Sequence, residues 1–454
     1  MKKIIILSFT VLFAFLGVYS CKKSATKSTF EPKPVEHPDW TRTAVIYEVN
    51  LRQYTKEGTF KAFEQYLPQL KDLGVDVLWF MPVHPISALN RKGTLGSYYA
   101  VKDYKAVNPE FGTDADFKNL VGKAHELGFK VIIDWVANHT GCDNVWLSAH
   151  KDWYVLDSVG NPASPYDWTD TYKLNYANGA MRAEMTNSLK YWVENFDIDG
   201  FRCDVASEVP TSFWDSARVT LDSIKPVFML AEAETPELLK NAFDADYAWA
   251  MLHLMNAVAN TKDTTNVNTL RAFLAKQDTL LPADAYKMNF ITNHDENSWN
   301  GTEYERLNKG VQTFAVLTYT LPGMPLIYTG QEIGLKKRLK FFEKDPVGSW
   351  TKNSTFAFYK KLNELKHTHP ALKAGVQGGE LKIYRHGYEK DLLVFQRSKE
   401  GKDLFVMLNL GNRSLEFYTN DVLPKGEFTD FFTGKKIQGI PNHLNPWEYR
   451  ILIR

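Results

Sequence analysis

An arginine and an aspartate two residues apart close an apolar run at Gly200-Phe201-Arg202-Cys203-Asp204, and together they have the means to do chemistry. Side chains alternate along a strand, so Arg202 and Asp204 share one side and Cys203 takes the other. That parity lets the guanidinium orient the carboxylate and keep it ionised. A structural ion pair has the same pattern, so other segments must decide. Further carboxylates stand at or just after other apolar runs: Asp134 in Asp134-Trp135-Val136-Ala137-Asn138-His139, Glu232 after Met229-Leu230-Ala231, and Asp295 in Asn293-His294-Asp295. Breaking an acetal needs a proton on the leaving oxygen and negative charge beneath the forming oxocarbenium ion, which one neutral and one ionised carboxyl group supply. Arg202 favours an ionised Asp204, and neighbouring negative groups favour a protonated Glu232. Glu234 lies on the same side of its strand as Glu232, so periodicity does not choose between them. Glu232 follows the apolar run directly, whereas Glu234 precedes Thr235-Pro236 and belongs with the start of the next helix.

These carboxylates need strands whose ends converge. A helical face of Phe60, Phe63, Leu67 and Leu70 stops at Gly74 before the apolar run 75–81. The phrase returns with Phe117, Leu120, Val121, Ala124 and Leu127, then Gly128, then the run 130–136. A third copy passes from Met181, Met185, Leu189, Trp192 and Phe196 into 200–203. Repeated helix-to-buried-strand units predict parallel β structure with crossover helices. With 45–50, 226–231, 246–250, 287–292 and 324–328, eight strands are available, and no Gly-rich phosphate turn follows any of them. The expected fold is α/β, a (β/α)8 TIM barrel over residues 40–374. The excursion 140–178, rich in Trp, Asp, Asn and Pro, predicts a small subdomain inserted after strand 3. Beyond 375 the pattern turns to short alternating strands, predicting a C-terminal antiparallel, β-sandwich-like domain over 375–454.

Composition sets the bounds. Lys+Arg 54 against Asp+Glu 53 leaves a formal net charge of +1, so no global field draws the chain to nucleic acid. Lys2 and Lys3 precede a short apolar run ending near Val18, and Ser20-Cys21 follows, so residues 1–20 are expected to be a bacterial lipoprotein signal peptide with Cys21 as the lipidated residue. Residues 21–39 are polar and contain Pro, as a tether would. The expected location is the bacterial cell envelope, lipid-anchored in the outer membrane and facing the periplasm, with the N-terminal lipid as the membrane contact. Only Cys142 and Cys203 remain beyond that point, with no metal-ligand spacing. Packing of Cys203 between strand and helix and a disulfide to Cys142 are both open.

The four segments around Asp134, Asp204, Glu232 and Asp295, taken in order, resemble the conserved regions of the α-amylase superfamily, glycoside hydrolase family thirteen. Supporting them are Ser97-Tyr98-Tyr99 before Asp103-Tyr104, Leu174-Asn175-Tyr176, and Tyr328-Thr329-Gly330-Gln331-Glu332. The resemblance implies a retaining glycosidase with Asp204 as nucleophile, Glu232 as acid and base, and Asp295 stabilising a distorted sugar. It also implies Tyr99, His139, Arg202, His294 and Asp134 as substrate-binding residues, with Tyr98 the alternative to Tyr99. Cys203 fills a variable slot, and Ala231 stands where the family more often has glycine. No cofactor is required for this chemistry; a structural calcium near Asn138 is the one ion the resemblance suggests. The implied substrates are starch-like α-(1→4)-glucans or maltooligosaccharides. The alternatives within the fold are cyclomaltodextrinase or neopullulanase, α-glucosidase and glucanotransferase activity; outside it stands a non-catalytic glucan-binding lipoprotein.

Overall fold

The computed structural model describes residues 33–260, 265–277, 281–388, 390–417 and 423–454. Eight strands stand at its centre: β1 Ile46–Val49, β2 Val77–Phe80, β3 Lys130–Trp135, β4 Gly200–Cys203, β5 Phe228–Ala231, β6 Ala245–Tyr247, β7 Tyr286–Asn289 and β8 Met324–Tyr328. They follow one another around a closed barrel in sequence order, and every pairing is parallel. Every strand residue except Lys130 is buried, because side chains fill the inside while helices cover the outside. Gly200 is required where β4 meets β5: its φ is +152°, and a Cβ there would stand 1.9 Å from the Phe228 carbonyl oxygen.

The crossover helices end where their sequences say they should. Thr113 and Asp116 form a reciprocal capping box on Asp114–Glu126, and Asn178 caps Gly179–Phe196 through the Ala180 and Met181 N–H groups. Three expected elements differ in extent. The helix expected from Thr59 to Leu73 is two, Phe60–Glu64 and Leu67–Leu73, because Pro68 at the start of the second has no N–H to continue the first. The sixth strand was expected over 246–250 but stops at Tyr247, and Trp249–Ala259 is a helix burying Met251, Leu252 and Met255. A short apolar run fits either period, and tertiary packing chose the helix. The seventh strand was expected over 287–292 and stops at Asn289, where its partner across β8 is Pro325, a residue with no ladder donor.

The excursion 140–178 holds a short antiparallel pair, His139–Gly141 with Thr171–Lys173. Cys142 and Cys203 are both buried free thiols, so the open possibility of a disulfide between them is not realised. Residues 1–20, Cys21 and the tether up to residue 32 lie outside the described residues. The end of that expected tether is no tether: Val35 N–H bonds the Lys240 carbonyl at 3.3 Å, and His37 Nδ1 lies 2.8 Å from Asp244 while its ring stacks on Tyr286. Pro and charge composition mark a linker only where nothing on the folded surface binds it.

After the barrel, an antiparallel sheet runs in the order Glu380–Ile383, Leu392–Lys399, Lys402–Asn409, Tyr449–Ile453, Glu427–Asp430, Lys436–Gln438, with a second small sheet of Leu415–Glu416 and His443–Leu444. Apolar residues of this region, including Leu393, Phe395, Val406 and Ile451, belong to one continuous core with the barrel. Arg397, buried, donates to the Thr320 carbonyl across that seam at 3.3 Å. The described residues, 33 to 454, belong to one compact unit.

Candidate active site

β4 ends at Cys203, and the next residue, Asp204, meets the guanidinium two places back: Arg202 Nη1 donates to Asp204 Oδ1 at 2.9 Å and to Asp134 Oδ1 of β3 at 2.8 Å. Arg202 Nη2 stands 2.9 Å from Oε1 of Glu232, the residue after β5, and Nε donates to the Tyr247 hydroxyl of β6 at 3.0 Å. One arginine thus gathers three carboxylates from three successive strands at the C-terminal mouth of the barrel. Trp79, Tyr99 and Tyr247 place their rings 5.2–5.7 Å from its charge.

Exposure separates the members of this cluster. The side chains of Arg202 and Asp134 are 0% exposed, while those of Asp204 and Glu232 are 10% and 12% exposed. The cavity above them, about 480 Å³, is lined by Tyr99, His139, Asp204, Glu232, His294 and Asp295, with Trp168, Trp299, Phe341 and Phe342 around the rim. Asp134 and Arg202 were expected to bind substrate directly, and this is corrected: both lie beneath the floor and act through their neighbours. Asp134 Oδ2 accepts from Trp79 Nε1 at 3.2 Å and from the Tyr99 hydroxyl at 3.0 Å, so it fixes the tyrosine rather than a sugar. Tyr98, the alternative to Tyr99, is 1% exposed and donates to Asn50 Oδ1 at 2.8 Å, away from the cavity.

The two glutamates after β5 separate as well. Glu232 Oε2 accepts the Val205 N–H at 2.8 Å inside the cavity wall. Glu234 instead accepts the Ala250 N–H at 2.9 Å and pairs with Lys287 at 3.4 Å. Val205 sits in the left-handed region at φ 36°, a strained conformation for a β-branched residue, and it is this backbone turn that aims its N–H at Glu232.

Burial pushes Glu232 up to about 7; Arg202 opposes that rise, and Asp204 and Asp295 add to it. Burial also lifts Asp204, to about 6, with Arg202 opposing. The hydrogen bond from Arg202 to Asp204 puts the lower affinity for a proton on the aspartate, so over a window near neutrality one group is ionised and the other protonated. His294 is raised to about 9: burial would lower it, but Asp295 and Glu48 outweigh burial. Its Nδ1 donates to Glu48 Oε1 at 2.5 Å, and Nε2 stands 2.8 Å from the Tyr99 hydroxyl and 3.3 Å from Asp295. His139 is the opposite case: burial holds it down to about 3, so it is neutral.

Asn138, the residue expected near a structural calcium, is held by local contacts. Its amide nitrogen stands 3.3 Å from His139 Nδ1, its carbonyl accepts the Leu174 N–H at 3.0 Å, and the His139 carbonyl accepts the Tyr104 hydroxyl at 2.8 Å. Among the described residues no three carboxylate, His or Cys side chains converge to hold a metal ion. No step of the chemistry is routed through a metal ion.

Several residues of the site were not foreseen. Glu48 carried a signal, since it is the one carboxylate in the otherwise apolar run Val45-Ile46-Tyr47-Glu48-Val49. Trp299, Phe341 and Phe342 carried none, because they lie on loops whose path depends on what they pack against.

A closed parallel barrel with Asp204, Glu232 and Arg202 gathered at its C-terminal mouth has the architecture found in glycoside hydrolases. The Alpha amylase, catalytic domain family matches residues 37–173 and 165–349. A noncanonic maltogenic alpha-amylase, AmyB from Thermotoga neapolitana, superposes with a TM-score of 0.83 at 30% identity, covering 91% of this chain and 98% of its own. Alpha-amylase MalA of Haloarcula japonica is 26% identical over 419 residues, 89% of this chain and 60% of its own length. The maltogenic alpha-amylase of Bacillus acidopullulyticus is 28% identical over 79% of this chain and 64% of its own length. This chain therefore spans less than two thirds of those two curated relatives, and it belongs to the α-amylase family.

Proposed function

We propose that the protein hydrolyses α-(1→4)-glucosidic bonds of starch-like glucans and maltooligosaccharides with retention of configuration. The observation that carries this reading is the single buried guanidinium shared by Asp204 and Glu232 under an open cavity, which leaves one carboxylate ionised beside one carboxylic acid. In the first step an Asp204 oxygen bonds the anomeric carbon from below as the glycosidic C–O bond breaks, and Glu232 gives its proton to the leaving oxygen. In the second, Glu232 takes a proton from water, whose oxygen displaces Asp204. Asp295 and protonated His294 hold sugar hydroxyls and Tyr99 offers its ring to the sugar face. Positioning falls to Asp134, Arg202 and Glu48.

Within the α-amylase family we favour maltogenic action, supported by the 30% identity to the maltogenic alpha-amylase AmyB of Thermotoga neapolitana. A product profile on starch, cyclodextrins, pullulan and maltose, with the first-formed anomer followed by NMR, tests the reading. α-Anomeric products from α-(1→4) substrates are expected; β-anomers, or no reducing-sugar release from any α-glucan, would sink it.

The pH dependence follows from the two carboxyl groups. Activity needs Asp204 without its proton and Glu232 with it, so kcat/KM rises with pH through the lower apparent value and falls through the upper. With Asp204 raised to about 6 and Glu232 to about 7, a narrow bell between those values is expected. A profile from pH 4 to 10 checks this, and an optimum below pH 5 would contradict it.

We further propose that Cys21 is acylated and anchors the protein in the cell envelope, with the active site facing the periplasm. The basic start, short apolar run and Ser20-Cys21 junction support it, and Lys22 and Lys23 with no acidic cluster favour the periplasmic side. Mass spectrometry of the mature N-terminus should find a diacylated or triacylated Cys21; an unmodified terminus elsewhere would exclude it.

A further inference from the structure

The aromatic rim and the inserted subdomain line the same cavity, and an ion pair ties the subdomain to the segment beside that rim. Lys92 Nζ stands 3.1 Å from Asp170 Oδ1, and both residues line the same cavity as Asp204, Glu232 and Asp295. Lys92 belongs to the segment after β2, which is locked to the segment after β8. Leu95 N–H bonds the Phe342 carbonyl at 2.9 Å, Thr94 N–H bonds Glu343 at 2.9 Å, and Arg52 Nη1 donates to the carbonyls of Gly96 and Phe341 at 3.0 and 3.2 Å. Gly93, at φ +62°, would place a Cβ 2.5 Å from Phe342 Cβ, so only glycine permits the approach. Asp170 comes from the excursion after β3, beside the strand Thr171–Lys173, and its carboxylate is only 4% exposed against 36% for Lys92.

We propose that Lys92 and Asp170 close the cleft on the side of the sugar that is transferred to the enzyme, and so set the length of the product released from the non-reducing end. The inference rests on the reading of the site as an α-(1→4)-glucan hydrolase. The side follows from the acid: the leaving group departs past Glu232, which is held by Val205. The Lys92 rim belongs to the other wall, where Phe341 lies parallel to Tyr99 at 6.2 Å and Tyr99 lies over His294 at 5.4 Å, next to Asp295. A lysine paired with a desolvated carboxylate is held more firmly than a surface pair, because leaving Asp170 alone would strand a buried charge. A longer chain on that side would have to break the pair to pass.

The test uses maltopentaose, maltohexaose and maltoheptaose labelled at the reducing end, digested to low conversion. From the parent protein, the unlabelled fragment should keep one short, constant length whatever the substrate. In Lys92→Ala, unlabelled fragments longer than that are expected to rise about fivefold, the scale of losing one ion pair. Asp170→Asn should do the same, and Lys92→Arg should keep the parent pattern. Parent-like fragment lengths in both Lys92→Ala and Asp170→Asn would overturn the proposal while leaving the hydrolase reading intact. So would a constant labelled fragment with a variable unlabelled one, since that puts the closed end on the leaving side. Failure of the parent to cleave any of the three would instead remove the hydrolase reading.

Discussion

Asp204→Asn is expected to lower kcat/KM on maltooligosaccharides by on the order of 10⁴-fold or more, because the amide cannot form the glycosyl bond that splits the displacement into two steps. The fold should survive. Burial lifts the Asp204 carboxyl toward its neutral form, so the folded protein carries the ionised group at a cost that an isosteric neutral amide does not incur. Arg202 does not lose its counter-charge either, since it keeps Asp134 at 2.8 Å. Thermal melting monitored by circular dichroism, alongside steady-state hydrolysis, checks both halves. A soluble, folded variant with near-parental turnover would remove Asp204 from the role of nucleophile.

Glu232→Ala should reduce hydrolysis of natural glucans by roughly 10²–10⁴-fold, the range of a lost general acid and base. Substrates with a good leaving group need no proton for the first step, so the glycosyl-enzyme should form on Asp204 and accumulate. Azide needs no general base, so it should restore turnover. Two displacements at the anomeric carbon then give an α-glycosyl azide from an α-glucoside, identifiable by NMR. Asp204→Ala with azide should give the β-azide instead, by one displacement. Glu234→Ala is the control, because Glu234 is engaged with the Ala250 N–H and Lys287 outside the cavity. Rescue in Glu234→Ala and none in Glu232→Ala would reverse the assignment.

Much of the barrel was legible in the chain because each strand is buried on both faces and the helices before the second and third strands carry apolar stripes ended by glycine, at Gly74 and Gly128. Element ends were less legible. Nothing local in Asp246 to Ala250 distinguishes a strand from the first turn of a helix, and the choice came from Met251, Leu252 and Met255 finding a core to enter. Likewise, His37 lies in a polar, Pro-containing segment, yet a buried Asp244 two hundred residues away holds it.

By itself, the amino-acid sequence determined the eight-strand α/β order, the carboxylates placed at the ends of strands, and the pairing of Arg202 with Asp204, since all three follow from apolar periodicity and strand parity within a few residues. Only the tertiary structure decided what those groups touch. Parity put Glu232 and Glu234 on one side, but the turn at Val205 captured Glu232 while Lys287 of β7 drew Glu234 away. Asp134 and Arg202 have the chemistry to bind sugars, but barrel closure put them beneath Tyr99 and Asp204, out of reach. Whether a charged group meets substrate or supports a neighbour is a matter of depth, and depth depends on which distant strands close over it.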